Sequence, residues 1–231
     1  MKTYGFGIIG CGMISDFHSA AIADIKNGKL VAVSSRKSEN SQRLVDRYNI
    51  QAYSDYNEML SREDIDIVCI CTPSGAHMEP AVAAAEAGKH VIIEKPTFMR
   101  PDQLIKAYNT AEKHGLHIFP VFQNRYNKAV QRVKNAIVNK QLGDIRIMNV
   151  RLRWCRPQRY YDMAPWRGTF SHDGGALTNQ GIHHIDLLRY LGGDIEKVNC
   201  TMRTLGADIE VEDCVVSTFT YNNGVTRNFW S

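Results

Sequence analysis

A glycine-rich turn near the start of the chain is the first feature that could carry chemistry. Gly10-Cys11-Gly12-Met13-Ile14-Ser15 follows an apolar, strand-like segment and opens a segment with helical periodicity. In such a turn Gly10 permits a tight bend, and Gly12 lets the backbone approach a pyrophosphate at the helix N-terminus. This context predicts a dinucleotide-binding loop. The alternative is an ordinary glycine-rich turn between a strand and a helix.

The residues after the second predicted strand bear on which dinucleotide binds. Proteins that bind NAD usually place Asp or Glu there, where it bonds the ribose 2′-hydroxyl. Here the sequence is Ser34-Ser35-Arg36-Lys37, with no acid between Val31 and Ser38. Arg36 and Lys37 suit a 2′-phosphate, and Ser35 adds a hydroxyl. The pattern favours NADP and leaves NAD open.

A basic segment, residues 123–167, carries eight arginines and three lysines against two acids, whereas the net charge of the whole chain is only +4. Such a local field suits an anionic small molecule or a phosphate backbone, and the alternative is a scattered solvated surface. Nucleic acid is the less favoured partner, because the segment has no recognition helix.

The elements that must position these residues alternate in the first half of the chain. Apolar runs predict buried strands at Phe6–Ile9, Leu30–Val33, Ile65–Ile70, Val91–Ile93 and Ile118–Phe119. Helical patterns lie between them, near Ile14–Ile25, Glu39–Tyr48, Glu79–Ala87 and Pro101–His114. Strict alternation predicts a parallel sheet with helices on both faces, so the fold class is α/β and residues 1–121 form a Rossmann dinucleotide-binding domain.

Residues 122–231 change rhythm and predict an α+β domain with a largely antiparallel open sheet. The predicted elements are a helix at Ala129–Val138, a strand at Ile145–Trp154, a helix near Gly181–Leu191, and strands near Val198–Leu205, Cys214–Tyr221 and Val225–Trp230. Asn222-Asn223-Gly224 predicts a hairpin turn between the last two strands. Because the chain stops after a strand without a closing helix, this domain is expected to be incomplete.

Composition sets wider bounds on the 231 residues. Apolar residues make up 44% and charged residues 23%, which excludes disorder, collagen and coiled coil. Neither a membrane-spanning run nor a leader pattern is evident, so a soluble, cytoplasmic protein is expected. The six cysteines include no C-x-x-C pair, which favours free thiols, with Cys69 and Cys71 as buried packing residues.

Several motifs occur in an order that resembles the Gfo/Idh/MocA oxidoreductase family across nearly the whole chain. They are Gly10-Cys11-Gly12, Cys71-Thr72-Pro73-Ser74-Gly75, Glu94-Lys95-Pro96, Gly174-Gly175 and Gly181-Ile182-His183-His184-Ile185-Asp186. The stretches 156–162, 166–169 and 179–181 look like the branch that oxidises UDP-N-acetylglucosaminuronate at C3. Members of the family are considerably longer than this chain.

The resemblance implies an NAD(P)-dependent dehydrogenase with Lys95 and His183 as catalytic residues. Lys95 is expected to stabilise the developing alkoxide, and His183 to take the hydroxyl proton. His183 is favoured over His184 because it lies four residues after Asn179, whereas His184 is rotated by about 100°. Asp186 is expected to orient the His183 ring or to lie on the helix surface. A metal site at His183, His184 and Asp186 is the disfavoured alternative, and no metal is expected.

The remaining site residues implied by the resemblance fall into two groups. Asn179, where many relatives carry Asp, is expected to position the sugar, and Pro96 to follow a cis bond. The residues expected to bind the dinucleotide are Gly10, Gly12, Met13, Ile14, Ser35, Arg36, Thr72, Pro73, His77, Glu94 and Lys95. For His77 the alternative is a structural role at the entry of the following helix. The residues expected to bind the substrate are Lys95, Arg125, Tyr126, Arg156, Tyr160, Trp166, Arg167, Asn179 and His183.

Two other functions stay open beside the UDP-linked uronate dehydrogenase. One is an inositol or free-sugar dehydrogenase of the same family, which would need far fewer arginines. The other is a dinucleotide-binding regulator without turnover, which would not need both Lys95 and His183. The resemblance implies that residues 122–231 bind the substrate and pair subunits through the open sheet face. A homodimer or homotetramer is therefore expected for the full-length protein.

Overall fold

The computed structural model describes residues 2–222 and the backbone of residues 226–230, and the chain divides into two units, Met1–Val121 and Phe122–Ser231. The first unit alternates strands and helices as predicted. Its elements are β1 Tyr4–Ile9, α1 Met13–Asp24, β2 Gly28–Ser34, α2 Ser38–Tyr48, β3 Gln51–Tyr53, α3 Tyr56–Leu60, β4 Ile67–Ile70, α4 Met78–Glu86, β5 His90–Ile93, α5 Pro101–Lys113 and β6 Ile118–Pro120.

The sheet of the first unit has six strands in the order β3-β2-β1-β4-β5-β6, and every neighbouring pair is parallel. The predicted parallel α/β sheet is therefore confirmed. The strand order reverses between β1 and β4, and open sheets of this kind bind ligands at that switch point. The glycine-rich loop after β1 and the Cys71–Gly75 loop after β4 flank it.

Both faces of this sheet are covered, which explains its unbroken apolar strands. On β4, Val68 and Ile70 pack with α3, α4 and α5, whereas Cys69 packs on the opposite face with α1 and α2. Burial raises the pKa of Cys69 to about 12, so the thiol stays protonated as a packing group. All six cysteines are free thiols.

Two short elements of the first unit, β3 and α3, were absent from the sequence-based prediction. β3 spans only Gln51–Tyr53, too few residues for an apolar pattern, and it pairs with the end of β2. α3 spans Tyr56–Leu60, and the Asp55 side chain caps it by accepting from the Asn57 backbone N–H. Backbone pairing and a local cap therefore stabilise them, rather than periodicity.

The second unit contains helices and a four-stranded sheet in the order β7-β10-β9-β8. Its elements are α6 Lys128–Val138, β7 Asn149–Arg151, α7 Gln158–Tyr161, a π-helical turn Ala176–Gly181, α8 Ile182–Gly192, β8 Ile195–Arg203, β9 Cys214–Tyr221 and β10 Thr226–Trp230. β8, β9 and β10 pair antiparallel, as predicted, and β7 pairs parallel to β10. The predicted hairpin turn at residues 222–224 lies largely outside the described residues.

The prediction of a long strand at Ile145–Trp154 is wrong. Among the residues that the structure describes, only Asn149–Arg151 of this segment pair with a neighbouring strand, while Ile147 is 71% exposed and Trp154 58% exposed. Met148, Val150 and Leu152 do pack on the apolar cluster beneath the sheet, so the alternation is correct over the centre of the segment.

Assembly through the outer sheet face stays a prediction, to be checked by light scattering on the full-length protein.

Candidate active site

The loop after β1 contains two glycines that are there for different reasons. Gly10 has φ +95°, and a Cβ there would lie 2.7 Å from the backbone nitrogen of Thr72. A Cβ at Gly12 would meet none of the described atoms within 4 Å, and its φ of −78° suits any residue. Packing therefore explains glycine at position 10 but not at position 12. Space left free at a helix N-terminus fits a dinucleotide phosphate, so the residues present fit that cofactor.

Arg43, on α2, holds this loop from the side. Its guanidinium donates to the carbonyl oxygens of Gly12 at 2.8 Å and Cys11 at 3.1 Å, and to the Asp16 carboxylate at 3.0 Å. Nothing in the sequence marks Arg43, because it belongs to an ordinary amphipathic helix and its partners lie on another element. It fixes the backbone that would face the pyrophosphate.

The other residues predicted to contact the dinucleotide from this side are accessible. Met13 and Ile14 are exposed at the start of α1. Ser35 is half-buried just after β2, and Arg36 and Lys37 beside it are exposed. The structure therefore leaves this basic pair open to a ligand at the carboxyl end of β2.

His77 links two loops. Its ring is buried, with Nε2 2.9 Å from the carbonyl oxygen of Thr72 and Nδ1 2.9 Å from that of Pro96. Burial lowers the pKa of His77, while these carbonyls oppose that shift. The ring is enclosed and both nitrogens face the chain's own backbone, and His77 directly precedes α4, which agrees with a helix-entry role. Contact between His77 and the cofactor stays a prediction. The ring holds the Thr72-Pro73 turn against the loop after β5.

Glu94, at the end of β5, anchors the residue after it. One carboxylate oxygen accepts from His18 Nε2 at 3.0 Å, and the other accepts from the backbone N–H of Lys95 at 3.1 Å. Burial alone would raise the pKa of Glu94, but these hydrogen bonds outweigh it and the pKa is lowered. The Lys95–Pro96 bond is cis, as expected. His18, whose partner lies 76 residues away, had no signal in the sequence.

The Gly174-Gly175 pair leads into the π-helical turn that carries Asn179. Gly175 has φ +80°, and a Cβ there would lie 2.2 Å from the Glu212 carboxylate. Glu212 accepts from the backbone N–H of Leu177 at 2.8 Å, which satisfies a donor at the start of the turn. The Asn179 amide donates to Asp173, which is buried. π-helical turns are rare and often occur at functional sites.

The helix α8 carries both histidines and Asp186. Both Asp186 oxygens accept from the Arg125 guanidinium, at 2.8 Å and 2.5 Å, and the Asp186 side chain is only 7% exposed. Asp186 is therefore buried in an ion pair with Arg125, so the expectation that it lies on the helix surface is wrong. The expectation that it orients the His183 ring stays a prediction. The His183 ring meets the Phe122 ring edge-on, at 6.4 Å between centroids. Burial lowers the pKa of His184, against a backbone contact with Gln180.

The predicted substrate loop stacks cations and aromatic rings alternately. Arg156 lies over the rings of Trp154 at 4.4 Å and Tyr160 at 4.2 Å, and Arg167 lies over Tyr160 at 4.2 Å and Trp166 at 5.0 Å. Within the described residues, no carboxylate forms an ion pair with Arg156 or Arg167, and their Nε atoms are buried without a hydrogen-bond partner. We call these five residues the arginine–aromatic stack.

The other predicted substrate residues of this unit are not part of the stack. Tyr126 is 78% exposed, and Arg125 is engaged by Asp186. A cavity of about 410 Å³ lies beside Arg167, and its wall includes Tyr161, Asp162, Asp208 and Glu210.

Among the residues that the structure describes, no group of three or more acidic, histidine or cysteine side chains is arranged to hold a metal ion. In the same part of the chain, no helix has the length and apolar character needed to cross a membrane.

Solved structures resemble the whole chain. It is 35% identical to the WlbA dehydrogenase from Chromobacterium violaceum, solved with NADH and UDP-GlcNAcA, with a TM-score of 0.96 over 100% of this chain and 67% of that one. It is also 35% identical to the WlbA dehydrogenase from Bordetella pertussis, solved with the same ligands, with a TM-score of 0.95 over 100% of this chain and 69% of that one.

Curated relatives that match the chain are less identical to it, and their names give other substrates. D-glucoside 3-dehydrogenase of Escherichia coli is 32% identical over 80% of this chain and 53% of its own length. Myo-inositol 2-dehydrogenase of Thermotoga maritima is 25% identical over 83% of this chain and 56% of its own length. The chain thus spans about half the length of the curated relatives it matches.

Two domain families match in succession along the chain. Residues 4–122 match the oxidoreductase family with an NAD-binding Rossmann fold, and residues 130–231 match the GFO/IDH/MocA C-terminal domain. With the parallel sheet, the glycine loop and the Glu94-Lys95-Pro96 turn, these matches show that the chain belongs to the GFO/IDH/MocA oxidoreductase family.

Proposed function

We propose that this chain binds a nicotinamide dinucleotide and oxidises the C3 hydroxyl of a UDP-linked, N-acetylated uronate. The likeness to two dehydrogenases solved with NADH and UDP-GlcNAcA carries the proposal, because it extends over the whole chain at 35% identity. The family match adds the nicotinamide chemistry.

The arginine–aromatic stack supports the charge of the proposed substrate. A UDP-linked uronate brings a diphosphate and a carboxylate, and guanidinium groups pair with both in bidentate fashion. Arg156 and Arg167 each lie 4.2 Å from the centroid of the Tyr160 ring, and neither has a carboxylate partner among the described residues. A neutral free sugar would give these two cations no counter-charge. We therefore assign Arg156, Tyr160, Trp166 and Arg167 to substrate binding.

The cofactor would be held by the loop after β1 and the α1 N-terminus, with Ser35 and Arg36 toward its ribose end and Thr72 and Pro73 beside the switch point. When bound, the nicotinamide supplies a hydride acceptor. Ser35 and Arg36 favour NADP, and the solved WlbA structures contain NADH, so both dinucleotides belong in the test.

The protein's own contribution to the reaction lies in two side chains. A ring nitrogen of His183 takes the proton from the substrate hydroxyl as the hydride leaves the same carbon. The Lys95 ammonium donates to that oxygen and stabilises the negative charge that develops on it. Glu94 fixes the Lys95 backbone, and Asn179 binds the sugar through its amide. The carbon thus loses a hydride and the oxygen a proton, which yields a ketone.

The test follows reduced nicotinamide by absorbance with UDP-GlcNAcA as substrate. Lys95→Met and His183→Ala should each lower kcat by about 10²–10⁴-fold, the usual cost of losing acid–base catalysis, with cofactor affinity nearly unchanged. His184→Ala is the matched control and should cost much less. A larger effect at His184 would contradict the assignment of the base. Unaltered turnover in both test variants would remove Lys95 and His183 from the reaction, and an absence of turnover in the wild-type protein with every tested sugar would favour the non-catalytic regulator.

A dehydrogenase of inositol or a free sugar is the second candidate, favoured by the curated relatives that act on glucosides and inositol. The same assay with myo-inositol and glucosides separates the two. Arg156→Ala and Arg167→Ala should raise KM for UDP-GlcNAcA by at least about tenfold each if the stack binds its anionic groups. Turnover of a neutral sugar with a KM unaffected by either change would favour the second candidate.

A further inference from the structure

The ion pair of Arg125 and Asp186 has a geometry that fixes a helix. Arg125 Nε and Nη2 each donate to one Asp186 oxygen, at 2.8 Å and 2.5 Å. Parallel hydrogen bonds of this kind constrain orientation as well as distance. The Asp186 side chain is 7% exposed and that of Arg125 is 37% exposed, so removing Arg125 would leave the Asp186 charge buried without its partner.

Aromatic rings extend this contact along α8. The Arg125 guanidinium lies 5.5 Å from the Phe122 ring centroid and 5.1 Å from that of Tyr190. Phe122 in turn meets the His183 ring edge-on. His183, Asp186 and Tyr190 are spaced i, i+3 and i+7, so all three share one face of α8. One short segment, residues 122–125, therefore contacts that face at each of these positions.

We infer that Arg125 is a positioning residue for His183, acting through Asp186 and Phe122, and does not bind the substrate. This inference rests on the proposed function for its catalytic consequence. Arg125 uses two of its donors on Asp186, which sets the rotation of α8 about its axis. A base must reach its proton at hydrogen-bond distance, and a displacement of about 1 Å can cost 10²-fold in rate.

The experiment compares kcat and KM for Arg125→Lys and Asp186→Asn with the wild-type protein. Lysine keeps the charge but loses the planar fork, and asparagine keeps the shape but loses the charge. Each should lower kcat by about ten- to a hundredfold, with KM for UDP-GlcNAcA within about twofold. The double variant should fall no further than the worse single variant, because the two changes break one interaction. Arg132→Lys, at an exposed position of α6, is the matched control.

The outcomes separate positioning from substrate binding. A rise in KM with kcat retained in Arg125→Lys would overturn the inference and return Arg125 to the substrate site. Additive losses in the double variant would also overturn it.

A readout without turnover keeps the inference testable if the proposed function fails. The His183 ring resonance, assigned by its loss in His183→Gln, should shift in Arg125→Lys while that of exposed His172 stays in place. An unchanged His183 resonance would overturn the inference. A shifted resonance in a protein that turns over none of the tested sugars would leave the positioning intact and reject the proposed function.

Discussion

Alanine at Gly10 and at Gly12 should separate folding from cofactor binding within a single loop. At Gly12 the new methyl meets no described atom within 4 Å, and the backbone conformation already suits alanine. The free energy of unfolding should therefore change by less than about 1 kcal/mol. Replacing the glycine N-cap lowers it, whereas the smaller conformational entropy of the unfolded chain with alanine raises it. Affinity for NAD or NADP should nevertheless fall by at least about tenfold, or 1.4 kcal/mol, because the methyl occupies the phosphate's place.

At Gly10 the same methyl group meets the protein itself. The φ of +95° costs an L-residue about 1–2 kcal/mol. A Cβ 2.7 Å from the backbone of Cys71 and Thr72 forces that backbone to move, at about 1–3 kcal/mol more. Gly10→Ala should therefore lower the free energy of unfolding by about 2–5 kcal/mol.

Urea denaturation without cofactor measures the stability of both variants, and calorimetry measures their affinity for each dinucleotide. Gly12→Val extends the series, since a branched side chain fills more of the same space. Unchanged affinity in Gly12→Ala and Gly12→Val would refute the assignment of this space to a phosphate. A Gly10→Ala protein as stable as the wild type would refute the packing argument.

Three further changes test other parts of the first unit. Arg36→Ala should weaken NADP binding by about 1.5–3 kcal/mol in calorimetry and leave NAD nearly unaffected; equal losses would remove Arg36 from the 2′-phosphate. His77→Leu should lower the free energy of unfolding by about 2–4 kcal/mol in urea, because the backbone carbonyls around this buried ring lose the imidazole N–H as a hydrogen-bond donor; an unaltered midpoint would contradict this. His18→Leu should make acid unfolding begin at higher pH, followed by circular dichroism. Folding lowers the pKa of Glu94, so the contribution of Glu94 to stability is present above its ordinary pKa of 4.5 and is lost as the pH falls through the lowered value. Loss of His18 raises the pKa of Glu94 in the folded protein, so this stability is lost at a higher pH. Identical acid transitions in the variant and the wild type would count against the pair.

Local features of this molecule were readable from the sequence. The apolar runs predict the parallel sheet and the glycine turn predicts the tight bend at Gly10, because strand burial and turn conformation depend on neighbouring residues. The cis bond before Pro96 and the antiparallel pairing of β8, β9 and β10 also agree with expectation.

Long-range contacts were not readable in the same way. Asp186 meets Arg125 across 61 residues, and Glu212 meets Leu177 across 35. No spacing rule connects positions so far apart, so the partner of a buried charge emerges only from tertiary packing. The strand at residues 145–154 failed for a related reason. Its alternation is real, but only three of its residues find a neighbouring strand.

The π-helical turn at Ala176–Gly181 makes the register between Asn179 and His183 depend on chain length. A π turn holds more residues than an α turn, so deleting one residue within it would let the segment close as ordinary α-helix. If the deletion follows Asn179, this residue would stand three positions before His183 instead of four, so the Asn179 amide would lie at a different angle about the helix axis relative to the His183 ring. The geometry between Asn179 and His183 would then be lost although both side chains are unchanged. Alignments of this region should therefore treat a single gap between 176 and 181 as a functional difference.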